Sequence, residues 1–379
     1  MENNKVKIKK NFISKELGFT FFSIIIGLLV GGIALKISGF SPLEAYKIII
    51  KGIFSKPKYI AWTVIYSTPL IMTGLSVAFA FKTGLFNIGA EGQFIIGALV
   101  ATLAGYFLKL PPLIHFIVVF FLAALAGGLW GSIAGYLKAK FGIHEVIATI
   151  MLNWIAFYTN NYIVLTEGFR RGESESSHEI MDSASIMLLE GWKRSEEGRA
   201  WLANHEIIKD ILRAPINLGI IFAFILAIVV WYILNKTTLG YELRTVGLNK
   251  YAAEYGGIGV KKSIIMSMFI AGILAGSAGA LQVLGVSKSV SSLAFMEGYG
   301  FDGIAVSLIG GNSPIGCVLA AFLFGALKYG GPKIQPILHA PTEMINIIIG
   351  TIVFFVAIPK LIIMATAYIK RKKGDKDVK

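Results

Sequence analysis

The sequence predicts an all-α polytopic membrane protein with about ten membrane legs, and three observations carry that expectation. Hydrophobic residues make up 55% of the 379-residue chain and charged residues only 15%, against roughly 25% charged in a soluble domain. Charge-free runs at Leu17 to Leu35, Ile60 to Phe81, Leu113 to Leu137, Val146 to Leu165, Ile216 to Leu234 and Ser263 to Ser287 each reach the ~20 residues that a ~30 Å hydrocarbon core demands. Basic residues gather at the ends, with Lys5, Lys7, Lys9, Lys10 and Lys15 before the first run and Lys370, Arg371, Lys372, Lys373, Lys376 and Lys379 after the last. By the positive-inside rule both termini are expected in the cytoplasm.

The first run is too long for a signal-peptide core and no small-residue cleavage site follows it, so it is expected to stay as the first leg. The segment 36–59 then lies outside, although it carries Lys36, Lys47, Lys51, Lys56 and Lys58; the basic termini outweigh it. Between Lys82 and Lys109 the apolar stretch Phe94 to Leu108 is short, a helix of only ~22 Å at 1.5 Å per residue. To span, it must recruit Gly89-Ala90-Glu91-Gly92-Gln93. Phe301 to Leu327 is interrupted by Gly310-Gly311-Asn312-Ser313-Pro314, a turn signal that divides it into two legs. With the terminal run Met344 to Pro359 the legs number ten, the even parity that two cytoplasmic termini require.

Loops 82–91, 138–145, 235–262 and 310–314 are thus expected inside, and 36–59, 109–112, 166–215, 288–300 and 328–343 outside. The chain divides into a cytoplasmic segment 1–16, a transmembrane domain 17–369 and a basic tail 370–379. The outer loop 166–215, with ten acidic and seven basic residues, reads as a solvated cap or a partner-docking surface. Gly127, Gly131 and Gly135, like Gly272 and Gly276, recur four apart, a spacing that lets membrane helices approach closely.

No enzyme site is legible. His115, His144, His178, His205 and His339 are scattered and form no zinc helix, and no glycine-rich phosphate loop is present. His144-Glu145 reads as a helix-start pair. The single cysteine, Cys317, excludes a disulfide framework or a cysteine metal site and reads as a small packed hydrophobe. The net charge of +14 is explained by topology without nucleic acid. No cofactor or metal is expected on this chain, and any ATP use belongs to another polypeptide.

Polar side chains forced into a membrane are costly and by default mark a site. The run Gly84 to Gln93 loosens the helix with three glycines and offers Asn87, Glu91 and Gln93; such broken segments occur where they line a cavity, and an ordinary polar turn is the alternative. Asn153, Asn160 and Asn161 share one run, with Asn153 and Asn160 on one face, and interhelical hydrogen bonding accounts for them as readily as a ligand does. Phe295, Met296, Glu297, Tyr299, Phe301 and Asp302 precede a short leg, where an interfacial aromatic belt is the bland account. In the inner loop, Asn249 caps and Gly256 ends a short helix, rigid and tied to two spans as a coupling element would be. On the residues alone an ion-coupled secondary transporter using Glu91 or Asp302 as its proton site stays open.

Four motifs occur in order: Gly84-Leu-Phe-Asn-Ile-Gly-Ala-Glu-Gly-Gln93, Asn153-Trp-Ile-Ala156, Gly247-Leu-Asn-Lys-Tyr-Ala-Ala-Glu-Tyr-Gly-Gly-Ile258 and Gly300-Phe-Asp-Gly-Ile-Ala-Val-Ser-Leu-Ile-Gly310. Together they resemble bacterial ABC importer permeases for simple sugars, branched-chain amino acids and nucleosides. The long outer loop is similar to that of the larger permease subunit of nucleoside importers, and the resemblance covers 17–369. It implies a type II ABC importer-like transmembrane domain with short broken helices, in the bacterial cytoplasmic membrane, moving nucleosides, or alternatively a simple sugar, by alternating access. It also implies a cytoplasmic ATPase subunit that holds ATP and Mg, a second homologous permease subunit and an extracytoplasmic substrate-binding lipoprotein. The helix at 249–256 would dock on the ATPase, with Arg244, Asn249, Tyr251 and Glu254 as coupling residues. The substrate pathway would use Asn87, Glu91, Gln93, Asn153 and Asp302, with Phe86 and Phe301 as base-stacking surfaces.

Overall fold

Charge-poor sequence folds into helix throughout the computed structural model, which describes residues 25–339 and, beyond them, Pro341, Glu343, Asn346, Ile347, Ile348, Gly350, Thr351 and Phe354. Segments 1–16 and 370–379, the start of the first run and most of Met344 to Pro359 lie outside the described residues. In chain order come α1 (Ile25–Ile37), α2 (Pro42–Phe54), α3 (Pro57–Lys82), α4 (Ala90–Phe107), α5 (Pro112–Phe141) and α6 (Glu145–Val164). The long loop holds α7 (Glu190–Arg194), α8 (Glu196–Ala203) and α9 (Glu206–Leu212). Then follow α10 (Gly219–Lys236), α11 (Thr238–Leu248), α12 (Lys250–Tyr255), α13 (Val260–Gln282), α14 (Tyr299–Ile309), α15 (Pro314–Gly330) and α16 (Gln335–Leu338). Among the described residues there is no strand, only isolated bridges such as Ser176 with Ser291.

Helix satisfies every backbone group within its own segment, which is what a lipid interior requires. Among the described residues six stretches are long and apolar enough to cross: Pro57–Lys82, Ala90–Phe107, Pro112–Phe141, Gly219–Lys236, Val260–Ser287 and Pro314–Leu338. The pair α1 and α2, bent by 119° at its break, would make a seventh. The protein is therefore an integral multi-pass membrane protein. Apolar side chains such as Phe121, Leu129, Ile228 and Ile147 remain exposed, as a lipid solvent permits. α6 has the length at 20 residues but, with its asparagines, is too polar to stand among the six. Both expected breaks are present. α4 starts at Ala90 and so takes in Glu91, Gly92 and Gln93, and α14 and α15 are separated by a turn where Gly311 (φ +60°) and Asn312 (φ +51°) enter the left-handed region; α14, at 11 residues, is not among the six spans.

The chain forms two units, one of residues 1–52 with 330–379 and one of residues 53–329. In the first, Ile348 packs against Gly31, the Tyr46 hydroxyl donates to the Leu28 carbonyl, and Lys333 Nζ donates to the Gly52 carbonyl at 2.6 Å. In the second, α13 lies at the centre against α3, α4 and α5. The two glycine stripes legible in the sequence face one another there. A Cβ on Gly127 would stand 2.6 Å from both the Gly272 carbonyl and the Gly276 Cα, and one on Gly131 3.2 Å from the Gly272 Cα. Overpacking of this kind costs about 1–3 kcal/mol, so backbone-to-backbone contact there depends on having no side chain.

Loops of the second unit sort into two ends. At one end, 166–218 lies along 284–292 through Ile186 N–H to Leu284 O (2.9 Å), Ile180 N–H to Lys288 O (2.8 Å) and Ser177 N–H to Val290 O (2.8 Å). Asp210 accepts from the Lys58 N–H, and buried His115 meets Ser183 at 2.7 Å. The loop read as a solvated cap or a partner-docking surface is partly folded onto the bundle. Lys288, outside the spans, pairs with Glu190 at 2.6 Å and Asp182 at 3.0 Å. Burial alone would lower its pKa, but the two carboxylates outweigh burial and hold it above the ordinary lysine value. At the other end lie the 82–89 turn, α11, α12 and the Lys138–Glu145 ion pair at the start of α6, where His144 Nδ1 caps the Val146 N–H.

Candidate functional site

After α3 ends at Lys82 the chain turns at Gly84 (φ +73°) and runs back into the bundle as non-helical backbone to Gly89. Asn87 reaches the level of Ser76, with its amide donating to the Ser76 hydroxyl at 3.2 Å. Irregular backbone at that depth finds no water, so every polar group needs an internal partner. Asn87 and Gln93 supply part of this by a reciprocal amide pair, at 3.0 and 3.1 Å. Asn153 of α6 supplies the rest: its Nδ2 donates to the Ile88 carbonyl at 3.0 Å, and its Oδ1 accepts the Gly92 N–H at 2.8 Å. The latter satisfies one of the free N–H groups that open α4, where Gly89 at the cap position has no side chain to offer.

The same device is used at α14, whose cap residue is Gly298 (φ +85°). Here Glu91, fully buried, reaches across from α4: Oε1 accepts the Gly298 N–H at 2.7 Å and Oε2 the Gly300 N–H at 2.6 Å. A carboxylate at a helix N-terminus is favoured by the macrodipole and by charge-assisted bonding. Thr73 of α3 adds a bond to the Tyr299 carbonyl at 2.9 Å. Two helix N-termini therefore meet inside the bundle, each capped by a side chain from elsewhere.

Beyond that junction the first turn of α14 carries Asp302, which pairs with Lys328 of α15 at 2.6 Å, each side chain about one quarter exposed (28% and 26%). Lys328 Nζ also lies 4.2 Å from the Tyr299 ring centroid. Of the predicted residues, Asn87, Glu91, Gln93 and Asn153 form one cluster, all at most 1% exposed and bonded to protein. Asp302 lies past the Glu91-capped turn. The two phenylalanines do not meet: Phe86 packs on Phe81 at 5.2 Å, and Phe301 is 41% exposed on α14. Asn160 and Asn161 bond instead to Ser291 and Leu293 in the loop that leads to Gly298. Sequence reasoning passed over Ser76, Thr73, Lys328 and an aromatic group on α3; Tyr59, Trp62 and Tyr66 fall at i, i+3 and i+7, a one-face spacing that was there to be read.

At the other end, Asn249 caps α12 as expected, Oδ1 accepting from Tyr251 N at 3.0 Å and Ala252 N at 3.1 Å, and Gly257 (φ +81°) follows its end. Ala253 is buried, while Leu248 (88%), Tyr251 (71%) and Tyr255 (96%) are exposed, with Glu254 beside them. Arg244 bonds only within α11, to the Gly240 carbonyl. Gly247, just before α12, abuts the α3 exit: a Cβ on Gly84 would lie 3.4 Å from the Gly247 Cα. Among the described residues no group of His, Cys, Asp and Glu could hold a metal ion.

Residues 59–357 match the family of branched-chain amino acid transport system permease components. The chain is 42% identical over 353 residues to the guanosine ABC transporter permease protein NupP of Bacillus subtilis, covering 92% of this chain and 95% of the relative. It is 33% identical over 366 residues to the nucleoside ABC transporter permease protein NupB of Lactococcus lactis, covering 93% and 96%. A glucose ABC transporter permease protein, TsgB13 of Haloferax volcanii, is 28% identical over 341 residues, covering 89% and 86%. No solved structure matches the chain.

Proposed function

The chain belongs to the family of branched-chain amino acid transport system permease components, and from that premise we propose that it is the membrane-spanning subunit of an ATP-driven nucleoside importer. The two nucleoside-transport relatives that match nine-tenths of the chain support the substrate class. The assembly would comprise a cytoplasmic ATPase with its ATP and Mg, a second homologous permease and an extracytoplasmic binding lipoprotein, in a bacterial cytoplasmic membrane. Both termini are cytoplasmic, ten legs lie within 17–369, and the end bearing α12 faces the ATPase. This chain supplies no catalytic group.

One observation carries the mechanism: a continuous line of contacts joins the exposed α12 to the buried polar junction. α12 follows Gly247, Gly247 abuts Gly84, the 84–89 segment leads to Asn87 and Glu91, and Glu91 holds the start of α14. Closure of the ATPase displaces α12 through Asn249, Tyr251 and Glu254. The 84–89 segment, whose fold rests on a few side-chain bonds, moves with it, and α14 follows through Glu91. A bundle with two packings biased by a ligand at one end is how such motion becomes alternating access. Asn87, Gln93 and Asn153 act as positioning residues, and Phe301 and Asp302 face the substrate.

Uptake of labelled nucleosides by cells lacking this gene, with and without the chain restored, tests the proposal. Restored uptake that stops on ATP depletion and survives collapse of ion gradients supports it. Uptake that follows an ion gradient and ignores ATP, or restoration of sugar uptake alone, refutes it.

A further inference from the structure

Four rings converge from two helices of the second unit: Tyr59, Trp62 and Tyr66 on α3, and Tyr329 at the end of α15. Trp62 and Tyr329 are parallel to within 8° at a centroid distance of 6.1 Å; Tyr59 and Tyr66 flank Tyr329 at 5.8 and 6.0 Å. All four are partly exposed. Successive rings on α3 climb about 10 Å, at 1.5 Å per residue, from the end where Asp210 holds Lys58 toward the Asp302–Lys328 ion pair. A lipid-facing aromatic belt does not account for this arrangement. Belt residues spread around a perimeter, whereas these rings pack on one another beside a carboxylate and an ammonium that are each about one quarter exposed. Charged side chains within membrane helices face a protein interior or an aqueous cavity.

We propose that Trp62, Tyr66 and Tyr329, with the Asp302–Lys328 pair at their foot, form the substrate-selecting surface of the pathway, taking a planar heteroaromatic base against the rings and ribose hydroxyls on Asp302. The inference rests on the proposed nucleoside transport and deepens it. The flat ring faces give affinity that every base can use, since stacking on aromatic side chains is tolerant of base identity. The Asp302 carboxylate accepts from two vicinal hydroxyls, and Lys328, 2.6 Å away, holds that carboxylate in place. Phe301, on the same turn of α14, borders the surface, and Glu91 fixes that turn. A sugar without a base would engage only the ion pair.

The test replaces the chromosomal copy with Trp62→Leu or Trp62→Phe and measures initial nucleoside uptake at equal membrane abundance. Uptake is expected to fall roughly tenfold in Trp62→Leu, the scale of one lost stacking contact, and by clearly less in Trp62→Phe, which keeps a ring face. Wild-type-like uptake in Trp62→Leu, or an equal fall in both variants, overturns the inference and leaves the transport proposal standing. Absence of nucleoside uptake in the wild type refutes the transport proposal itself. Should Trp62→Leu fail to reach the membrane, an azido-purine nucleoside photoprobe on the intact wild-type transporter decides. Labelling of the peptides that hold Trp62 or Tyr329 supports the surface, and labelling confined to other segments of this chain overturns it.

Discussion

Replacing Glu91 by Gln keeps the volume of the side chain and changes one thing, its ability to accept two backbone N–H groups at the start of α14. Glutamine offers a single carbonyl oxygen, so either the Gly298 or the Gly300 N–H faces an NH2 group. The loss of one charge-assisted bond and the stranding of a buried donor together amount to about 2–4 kcal/mol. Because the bonds are local, the cost falls on opening of the α14 N-terminus more than on the whole bundle. At a factor of ten per ~1.4 kcal/mol, amide exchange at Gly298 and Gly300 is expected to rise roughly 30- to 700-fold. Hydrogen exchange of peptides spanning 295–303, in lipid nanodiscs, measures this directly, with the α12 peptides as an internal reference that should not change. Nucleoside uptake is expected to fall with the exchange protection. Exchange within about threefold of wild type would refute the capping role assigned to Glu91, because a lost cap of this kind exceeds that factor.

Other outcomes follow from the same contacts. Gly247→Val places a branched side chain against Lys82 and Gly84 and is expected to abolish uptake while the exposed α12 still co-purifies with the ATPase; normal uptake would break the proposed line of contacts. Tyr251→Glu with Tyr255→Glu, both exposed in this chain, is expected to leave membrane insertion intact and to lose ATPase co-purification. Lys288→Met takes from Glu190 the nearer of its two cations, leaving it Arg194, and is expected to cost about 1 kcal/mol, read as faster chymotrypsin cleavage within 166–215. Since the folded Lys288 pKa is raised, the ammonium's contribution is complete below the unfolded lysine value of about 10.4 and disappears only as pH rises through the higher folded one. Wild-type protection arising from the ammonium is therefore expected to be flat across about pH 6–9.

Much of this architecture was legible from period and composition. Apolar runs located the long helices because length and the absence of charge are properties of single segments. The need for Ala90 to Gln93 to join a short apolar stretch followed from arithmetic on helix rise, and the 310–314 turn from its glycines and proline. The caps of α12 were legible because capping is local, between Asn249 and the residues just after it. The facing of Gly127 and Gly272 was half legible: each stripe shows in its own helix, and their meeting does not. What stayed hidden was non-local. Nothing near Glu91 indicates that it caps a helix starting more than 200 residues later, and nothing near Asn153 indicates that it closes the backbone at Ile88 and Gly92. The polar residues were expected along a pathway because they are costly in a membrane; the structure uses Glu91 and Asn153 to satisfy broken backbone and pairs Asn87 with Gln93 beside them. The aromatic group on α3 escaped notice because a charge-free run is read for its length, and its rings gain meaning only beside Tyr329 and Lys328.

The central claim is that this chain is the membrane half of an importer powered by ATP hydrolysed on another subunit. Proteoliposomes holding the complete transporter, with binding protein outside and ATP enclosed, measure it most directly through accumulation of a labelled nucleoside. The account predicts accumulation that requires enclosed ATP, ceases when ATP is replaced by a non-hydrolysable analogue, and is absent from vesicles containing this chain alone. Accumulation by this chain alone under an imposed ion gradient would contradict it.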